Sequence, residues 1–297
     1  MMTPLRAWIA ASRPATLSAA VVPVLVGTAL ATRDGAFHGV AFAAAMAVAL
    51  AIQVGTNLAN DYFDWKHGAD THARLGPVRA TQAGLIAPGR VLAGAWVAFG
   101  VAAMCGLVLV ALRGWPVAAL GVASIAAGVL YTGGPLPYGY RGLGDPVCFL
   151  FFGIAAVCGT YYVQAGVLTA AAIAAAIPVG LTVTAILVVN NLRDIDTDRA
   201  AGKRTLAVIL GHRASRAEYA ALLAGALLAP PVLWRLHLAP AAASIACASV
   251  LLAPPLLRSV FADPDGPRLN ATLRGTARLH LAFGALFALG LLLGGPV

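Results

Sequence analysis

Apolar stretches of about 17 to 25 residues, the length that crosses a bilayer as an α-helix, recur from one end of this chain to the other. Nine can be read: Ala15 to Ala31, Val40 to Ala59, Val91 to Leu112, Trp115 to Tyr131, Pro146 to Gln164, Val167 to Val189, Ala217 to Trp234, Leu238 to Leu257 and Ala277 to Leu293. In hydrocarbon every backbone N–H and C=O must be satisfied within the protein, which leaves helices or a closed barrel. A barrel would show short alternating segments, and the runs here are long and continuous. With 60% hydrophobic residues, 10% charged residues and a mean hydropathy of +0.85, the expected fold is an all-α integral membrane protein of about nine transmembrane helices, forming a single domain over residues 1–297.

The net charge of +9 does not point to nucleic acid once the cations are placed on these spans. With the N-terminus in the cytoplasm, 17 of the 20 Lys and Arg fall on the cytoplasmic side, and only Arg33, Arg113 and Arg235 on the other. That asymmetry predicts the orientation and places the protein in the inner, cytoplasmic membrane of a cell. The first run ends in Ala29-Leu30-Ala31, like a signal-peptide cleavage site, but it is longer than a signal core and the charge alternation needs it, so an uncleaved helix is expected. Cys105, Cys148, Cys158 and Cys247 all lie in spans without metal-ligand spacing and read as packing residues.

Against this background two polar stretches stand out. In Asn190-Asn191-Leu192-Arg193-Asp194-Ile195-Asp196-Thr197-Asp198, residues Asn190, Asp194 and Asp198 are spaced to share one face of a helix. Earlier, Asn57, Asp61 and Asp64 repeat the pattern, with Lys66 and Asp70 following. Acids and amides just past an apolar helix are commonly caps. Here, however, six of the chain's 11 acidic residues fall in these two stretches. Oxygen ligands on one helix face suit hard divalent cations, so the two clusters can hold two metal ions between them, and the ligand most in need of two metals with arginines nearby is a diphosphate. Four crossings separate Asn57 from Asn190, so both clusters emerge on one side, which suggests a four-helix unit repeated over roughly 15–131 and 146–257 with a last helix added.

The remaining polar features are loops. Asp61 to Arg90 is the longest polar connection and reads as a lid over a polar site, with Arg79 placed to pair with phosphate oxygens. His67 and His72 in it read as ordinary loop residues. Trp8 suits the membrane interface, Pro14 a helix start, and Arg13 either a positive-inside anchor or a phosphate contact. Tyr131-Thr132-Gly133-Gly134-Pro135-Leu136-Pro137-Tyr138-Gly139-Tyr140-Arg141 breaks the helix before it, and its three tyrosines fit an aromatic wall or an interfacial belt equally. The last three spans carry no distinctive chemistry; Pro230-Pro231 and Pro254-Pro255 are expected to bend or end helices.

Asn60-Asp61-Tyr62-Phe63-Asp64 with Asp70, together with Asn191-Leu192-Arg193-Asp194 through Gly202-Lys203-Arg204-Thr205-Leu206, resembles the motifs of the UbiA superfamily of intramembrane aromatic prenyltransferases. Trp8 with Arg13-Pro14, Gly76-Pro77-Val78-Arg79, Tyr131 to Pro135, Gly142-Leu143-Gly144-Asp145 and Gly159-Thr160-Tyr161-Tyr162 extend the likeness over essentially the whole chain, and point to the branch acting on 1,4-dihydroxy-2-naphthoate. In the 4-hydroxybenzoate branch the third motif aspartate follows four residues after the second and basic residues soon follow the tyrosine. Here Asp64 to Asp70 is six, and Gly and Pro fill the space until Arg141.

The resemblance implies transfer of a polyprenyl group from an allylic polyprenyl diphosphate to 1,4-dihydroxy-2-naphthoate, with decarboxylation, giving demethylmenaquinone for menaquinone biosynthesis. It implies Mg²⁺, with two ions bridging the diphosphate, held by Asn57, Asp61, Asp64, Asp70, Asn190, Asp194 and Asp198. Arg79, Lys203 and Arg204, backed by Lys66 and Arg141, hold diphosphate oxygens; Tyr131 faces the allylic cation; Arg13 and Tyr138 serve the acceptor. Two alternatives stay open. One is the same chemistry on another acceptor, homogentisate or 4-hydroxybenzoate. The other is an ion-coupled transporter, which places its acids near the bilayer midplane rather than at span ends.

Overall fold

The computed structural model describes residues 3–69, 75–262 and 266–295, and within them the chain is helical. A short helix α1 (Pro4–Ser12) is followed by α2 (Ser18–Arg33), to which it is bent by 50°. Arg13, which ends α1, has a left-handed φ of 52°, a conformation that costs a non-glycine residue about 1–3 kcal/mol and is concentrated at functional sites. Next come α3 (Gly39–Lys66), α4 (Pro88–Arg113) and α5 (Trp115–Leu130), then α6 (Gly144–Cys148), which runs through a π-helical stretch at 149–155 into α7 (Ala156–Ala165). The second half holds α8 (Ala170–Arg193), α9 (Ile195–Ala200), α10 (Leu206–Arg235), a 3₁₀ stretch at 241–252 leading to α11 (Ala253–Phe261), and α12 (Gly266–Leu293).

Seven of the described helical segments are long and apolar enough to cross a membrane, or eight with the bent α1–α2 pair. The expected nine is reached only by adding α5. Its 16 residues rise roughly 24 Å as α-helix, short of a hydrocarbon core of about 30 Å. Proline did not act uniformly: Pro254 and Pro255 begin α11, whereas Pro230 and Pro231 lie inside α10, whose non-helical residue is Gly211 instead.

Helix α8 is the centre of the bundle. In its most apolar window 78% of residues are buried, against 28% for α3 and 22% for α4, whose Trp96, Val101, Met104 and Leu107 are exposed. Interior packing needs small residues where backbones cross, because lipid tails give no hydrophobic drive between helices. Gly153 and Gly180 meet at such a crossing: a Cβ on Gly153 would lie 2.6 Å from Gly180 Cα. The π-helical widening of the chain falls at this crossing, a common device for fitting a local irregularity into a helix.

At the bundle end away from the acidic motifs, polar side chains lock the connections. Tyr161 Oη donates to Asp34 Oδ2 at 2.7 Å, Gln164 Nε2 donates to Thr28 Oγ1 at 2.7 Å, and Arg113 Nε donates to the Tyr162 carbonyl at 3.3 Å. The Gly159-Thr160-Tyr161-Tyr162 motif thus clamps α2, α4 and α7 together.

Candidate active site

The two acidic stretches meet at one end of the bundle, because α3 and α8 both finish there. Each acidic helix ends in the same turn. Gly68 and Gly202 adopt φ of 68° and 74°, left-handed values that cost glycine nothing. Ala69 N then donates to Asp64 O at 2.9 Å, and Lys203 N to Asp198 O at 2.9 Å, the long bond of a Schellman cap. Asp64 and Asp198 therefore occupy equivalent positions three residues inside the cap. The second cap turns the chain so that Lys203 points back at the acids.

Between these ends lies a cavity of about 280 Å³. Its polar wall includes Arg13, Asn57, Asp64, Arg79, Tyr131, Tyr138, Asn190, Asp194, Asp198 and Lys203, and its apolar wall includes Ala49, Ile52, Val147, Phe151, Phe152, Val183 and Leu187. The motifs 130 residues apart in sequence are joined directly: Lys203 Nζ is 3.0 Å from Asp64 Oδ1 and 3.8 Å from Asp198 Oδ1. Arg79 Nη2 donates to Asp64 Oδ2 at 2.7 Å, and Tyr140 Oη to Asp64 Oδ1 at 2.6 Å. Asp64 is 2% exposed. A carboxylate so far from water is tolerable only when paired and hydrogen-bonded, and here three donors supply that. The Tyr140 ring also lies 4.7 Å from Lys203 Nζ, a cation–π contact.

On the other motif Arg193 grips Asp194 through both carboxylate oxygens, with Nε to Oδ1 at 2.8 Å, and its Nη2 reaches Asn190 Oδ1 at 3.0 Å. A bidentate guanidinium uses only part of a carboxylate's lone-pair capacity, so Asp194 retains acceptor capacity toward the cavity. The helix predicted to run unbroken through Asp198 ends at Arg193, and Asp194 (φ −98°, ψ 7°) joins α8 to α9. The bond from Asp198 N to Asp194 O, 2.7 Å, carries the helical register across the joint and keeps Asn190, Asp194 and Asp198 on one wall.

Four expected site residues lie elsewhere. Asp61 does not line the cavity; its oxygens accept from the backbone amides of Ala80 and Thr81 at 2.9 and 3.1 Å, so it anchors the loop that carries Arg79. Lys66, Arg141 and Arg204 are exposed and outside the cavity wall. Arg204 contributes its backbone instead, N–H to the Tyr140 carbonyl at 3.0 Å. Asp70 lies outside the described residues.

Asn57 turns its amide nitrogen toward Ser12 O (2.9 Å) and Thr16 Oγ1 (3.2 Å), which orients the side chain by fixing its donor end. Tyr138 Oη donates to the Ala127 carbonyl at 2.9 Å, so only its ring serves the cavity. That ring meets Tyr131 edge-on, with centroids 5.4 Å apart. Burial, and then the nearby Asp145 carboxylate, raise the Tyr131 hydroxyl well above its usual pKa; burial, and then Cys148, do the same for Tyr138. Both rings stay neutral. Tyr140, one of the three tyrosines left open as aromatic wall or interfacial belt, is on the wall and bonds to Asp64, and Gln53, Asn60, Thr132 and Asn191, which were not assigned to the site, also take part. Asn60 accepts from Thr132 Oγ1 at 2.9 Å. The signal for Tyr140 was its place after the Gly/Pro run, which nothing in the spacing distinguishes from Tyr138.

Among the described residues no three His, Cys, Asp or Glu side chains form a ready-made metal cage. The cavity's oxygen donors are instead carboxylates and amides distributed over two helix ends, balanced by Arg79, Lys203 and Arg193.

Comparison with known proteins bears on the family and the fold. The sequence profile of the UbiA prenyltransferase family matches residues 20–273. The 1,4-dihydroxy-2-naphthoate octaprenyltransferase of Escherichia coli (strain K12) is 38% identical over 300 residues, covering 97% of this chain and 96% of that one. Among solved structures, an apo UbiA homolog from Aeropyrum pernix K1 superposes with a TM-score of 0.71 at 16% identity, covering 92% of this chain and 97% of that chain. A UbiA homolog from Archaeoglobus fulgidus bound to DMAPP and Mg²⁺ does so with a TM-score of 0.60 at 12% identity, covering 94% and 98%. At those identities the structures speak for the fold. The full-length sequence match carries the classification further, and this chain belongs to the UbiA prenyltransferase family.

Proposed function

We propose that this membrane enzyme transfers a polyprenyl group from an allylic polyprenyl diphosphate to 1,4-dihydroxy-2-naphthoate, with loss of carbon dioxide, to give demethylmenaquinone once the quinol is oxidised. The observation that carries the reading is one cavity in which two oxygen-rich helix ends and two buried cations face an apolar wall. The near-full-length identity to a naphthoate prenyltransferase supports the choice of acceptor.

Arg79 and Lys203 are the two cations placed for the diphosphate. Both are paired with Asp64, and on substrate binding they exchange that carboxylate for phosphate oxygens by charge-assisted hydrogen bonds. The hard oxygen set of Asn57, Asp64, Asn190, Asp194 and Asp198 fits Mg²⁺, which when bound supplies positive charge to the leaving diphosphate. Release of Asp64 from its cations makes its carboxylate available at the same moment. As the allylic C–O bond breaks, the apolar wall excludes water from the carbocation. Tyr131, a phenol that is neutral at physiological pH, presents a π-face to positive charge.

The acceptor is a ring made electron-rich by two hydroxyls. Its carbon forms the new C–C bond, the carboxylate leaves as CO₂, and the ring regains aromaticity. Arg13, on the cavity wall at the α1–α2 bend, is the cation placed for the acceptor carboxylate. The charge asymmetry of the loops supports a cytoplasmic position for this end of the bundle.

The test is a proteoliposome assay with a long-chain allylic diphosphate, offering 1,4-dihydroxy-2-naphthoate, 4-hydroxybenzoate and homogentisate in turn, with Mg²⁺ or with EDTA. Metal-dependent product from the naphthoate alone is expected. Product from another acceptor only would keep the reaction and overturn the acceptor assignment.

A further inference from the structure

The N-terminal turns of the last helix carry a side chain that bonds to two parts of the site's framework. Asn270, the fifth residue of α12, uses both ends of its amide: Oδ1 accepts from Arg193 Nη1 at 2.8 Å, and Nδ2 donates to the Leu75 carbonyl at 2.7 Å. Neither contact is local, since they span 77 and 195 residues. Arg193 has a side chain with 0% exposure. A buried guanidinium carries five N–H donors, and Asp194, Asn190 and Asn270 accept four hydrogen bonds from them, with Asn270 the acceptor for Nη1. Without Asn270, Nη1 would be left buried and unsatisfied, and the guanidinium plane would be free to rotate away from the Asp194 carboxylate.

The second bond acts on the loop before α4. Leu75 precedes Arg79 by four residues, and Ala80 and Thr81 are tied to Asp61. Residues 75–81 are thus fastened at one end by Asn270 and at the other by Asp61, with the Arg79 side chain extended between them to Asp64. The start of α12 is also packed against this anchor: a Cβ on Gly266 would lie 2.8 Å from Leu75 Cβ. A fixed segment presents Arg79 at a set distance, whereas a chain held at one end alone would lose that placement to conformational entropy.

We propose that Asn270 is a positioning residue for the transfer site, holding Arg193, and with it Asp194 and Asn190, on one side while fixing the Arg79 segment on the other. It rests on the transferase reading given above and adds to it a part of the chain with no cavity-lining acid or cation. An amide suits the position, since it offers an acceptor to Arg193 and a donor to a carbonyl from one planar group.

The two bonds can be separated. Asn270→Asp keeps an oxygen for Arg193 and removes the donor to Leu75, setting a carboxylate against a carbonyl; Asn270→Leu removes both. Three readouts apply: KM for the allylic diphosphate, the Mg²⁺ concentration for half-activation, and the rate of tryptic cleavage after Arg79 in the intact detergent-solubilised protein, located by mass spectrometry. For Asn270→Asp the expected result is faster cleavage after Arg79 and a KM about 3- to 10-fold higher, the scale of one lost hydrogen bond, with Mg²⁺ half-activation within about twofold. For Asn270→Leu the same changes should be joined by a rise of about 10-fold or more in the Mg²⁺ requirement, the usual effect of losing an outer-sphere partner.

Wild-type values for all three readouts in Asn270→Leu would overturn the proposal. So would a raised Mg²⁺ requirement in Asn270→Asp with Arg79 cleavage unchanged, because it would reverse the assignment of the two bonds. Should Asn270→Leu not insert, Asn270→Asp decides. Absence of turnover by the wild type on any acceptor would count against the transferase reading instead, and the cleavage comparison would still test the anchoring of residues 75–81.

Discussion

Asp61 and Asp64 sit one turn apart on α3, and their carboxylates serve different structures. Asp64 faces three charged or phenolic donors in the cavity, while Asp61 caps two backbone amides of the Arg79 loop. Their asparagine variants should therefore differ. Asp64→Asn removes the charge that balances Arg79 and Lys203 and replaces one carboxylate oxygen by an amide NH₂, so turnover should fall by about 10²–10³-fold, the scale of losing an electrostatic group at a reacting centre. Asp61→Asn keeps one acceptor for two amides; the loss, about 1–3 kcal/mol for a hydrogen bond to a charged group, should appear mainly as a raised KM for the diphosphate, with kcat within about tenfold. Steady-state kinetics on both variants in proteoliposomes decide the matter, and an equal collapse of kcat would make Asp61 a member of the reacting centre after all. Helical spacing puts Asn57, Asp61 and Asp64 within two turns of one another on α3, and only Asn57 and Asp64 line the cavity. It could not show that two loop amides, about 20 residues later, had taken one of the three. Lys66, Arg141 and Arg204 illustrate the same limit, since a cation beside a motif reads alike whether its side chain turns inward or to solvent.

At the scale of single helices, α8 owes its central place to small residues more than to large ones. Its contact with the π-helical stretch is made by Gly153 and Gly180, whose backbones approach too closely for any side chain. Gly153→Ala would place a Cβ 2.6 Å from Gly180 Cα and 3.0 Å from Gly180 N, which is backbone that can move only if the helices part. The expected cost is about 1–3 kcal/mol, or a drop of roughly 2–12 °C in thermal unfolding at about 2–4 °C per kcal/mol for a chain of this order of size. Gly100→Ala is the matched control: it lies on an exposed face of α4 with nothing near its Cβ position, and should be neutral or stabilising by up to about 1 kcal/mol. Thermal melts of both in one detergent measure the difference, and equal melting points would show that the crossing can relax. Helix existence and type were legible from the apolar runs. The joint at Asp194 was not, because a helix that stops for one residue and resumes keeps the same four-residue spacing of its acids. The Schellman caps at Gly68 and Gly202 were present in the sequence as Asp-x-x-x-Gly in both motifs, a likeness hidden by the different residues between.

Across the whole molecule, composition alone established a membrane protein, and the recurrence of long apolar runs established a helical bundle; α5, too short to span by itself, marks how far run length can be trusted. What the runs could not reveal is where the bundle is hollow. A second, mostly apolar cavity of about 290 Å³ lies between α3, α4, α5 and α7, and it shares Ala49, Ile52, Ser124, Phe151 and Ala156 with the polar one. Those five residues come from four separate segments and look like any lipid-facing positions, so no pattern in the sequence separates the neck from the surface. If the allylic tail leaves the polar site through this neck, narrowing it should act on long substrates and spare short ones. In Ala49→Phe the added ring occupies space that one isoprene unit does not need. Transfer from dimethylallyl diphosphate should stay within about threefold of wild type, while transfer from a long-chain diphosphate should fall by about tenfold or more, since overpacking costs about 1–3 kcal/mol and each 1.4 kcal/mol is a factor of ten. Ratios of kcat/KM for the two substrates in the same vesicles cancel differences in the amount of folded enzyme. An unchanged ratio would mean that the tail takes another path, out between helices directly into the bilayer, and that the second cavity is a packing defect of the bundle rather than part of its substrate route.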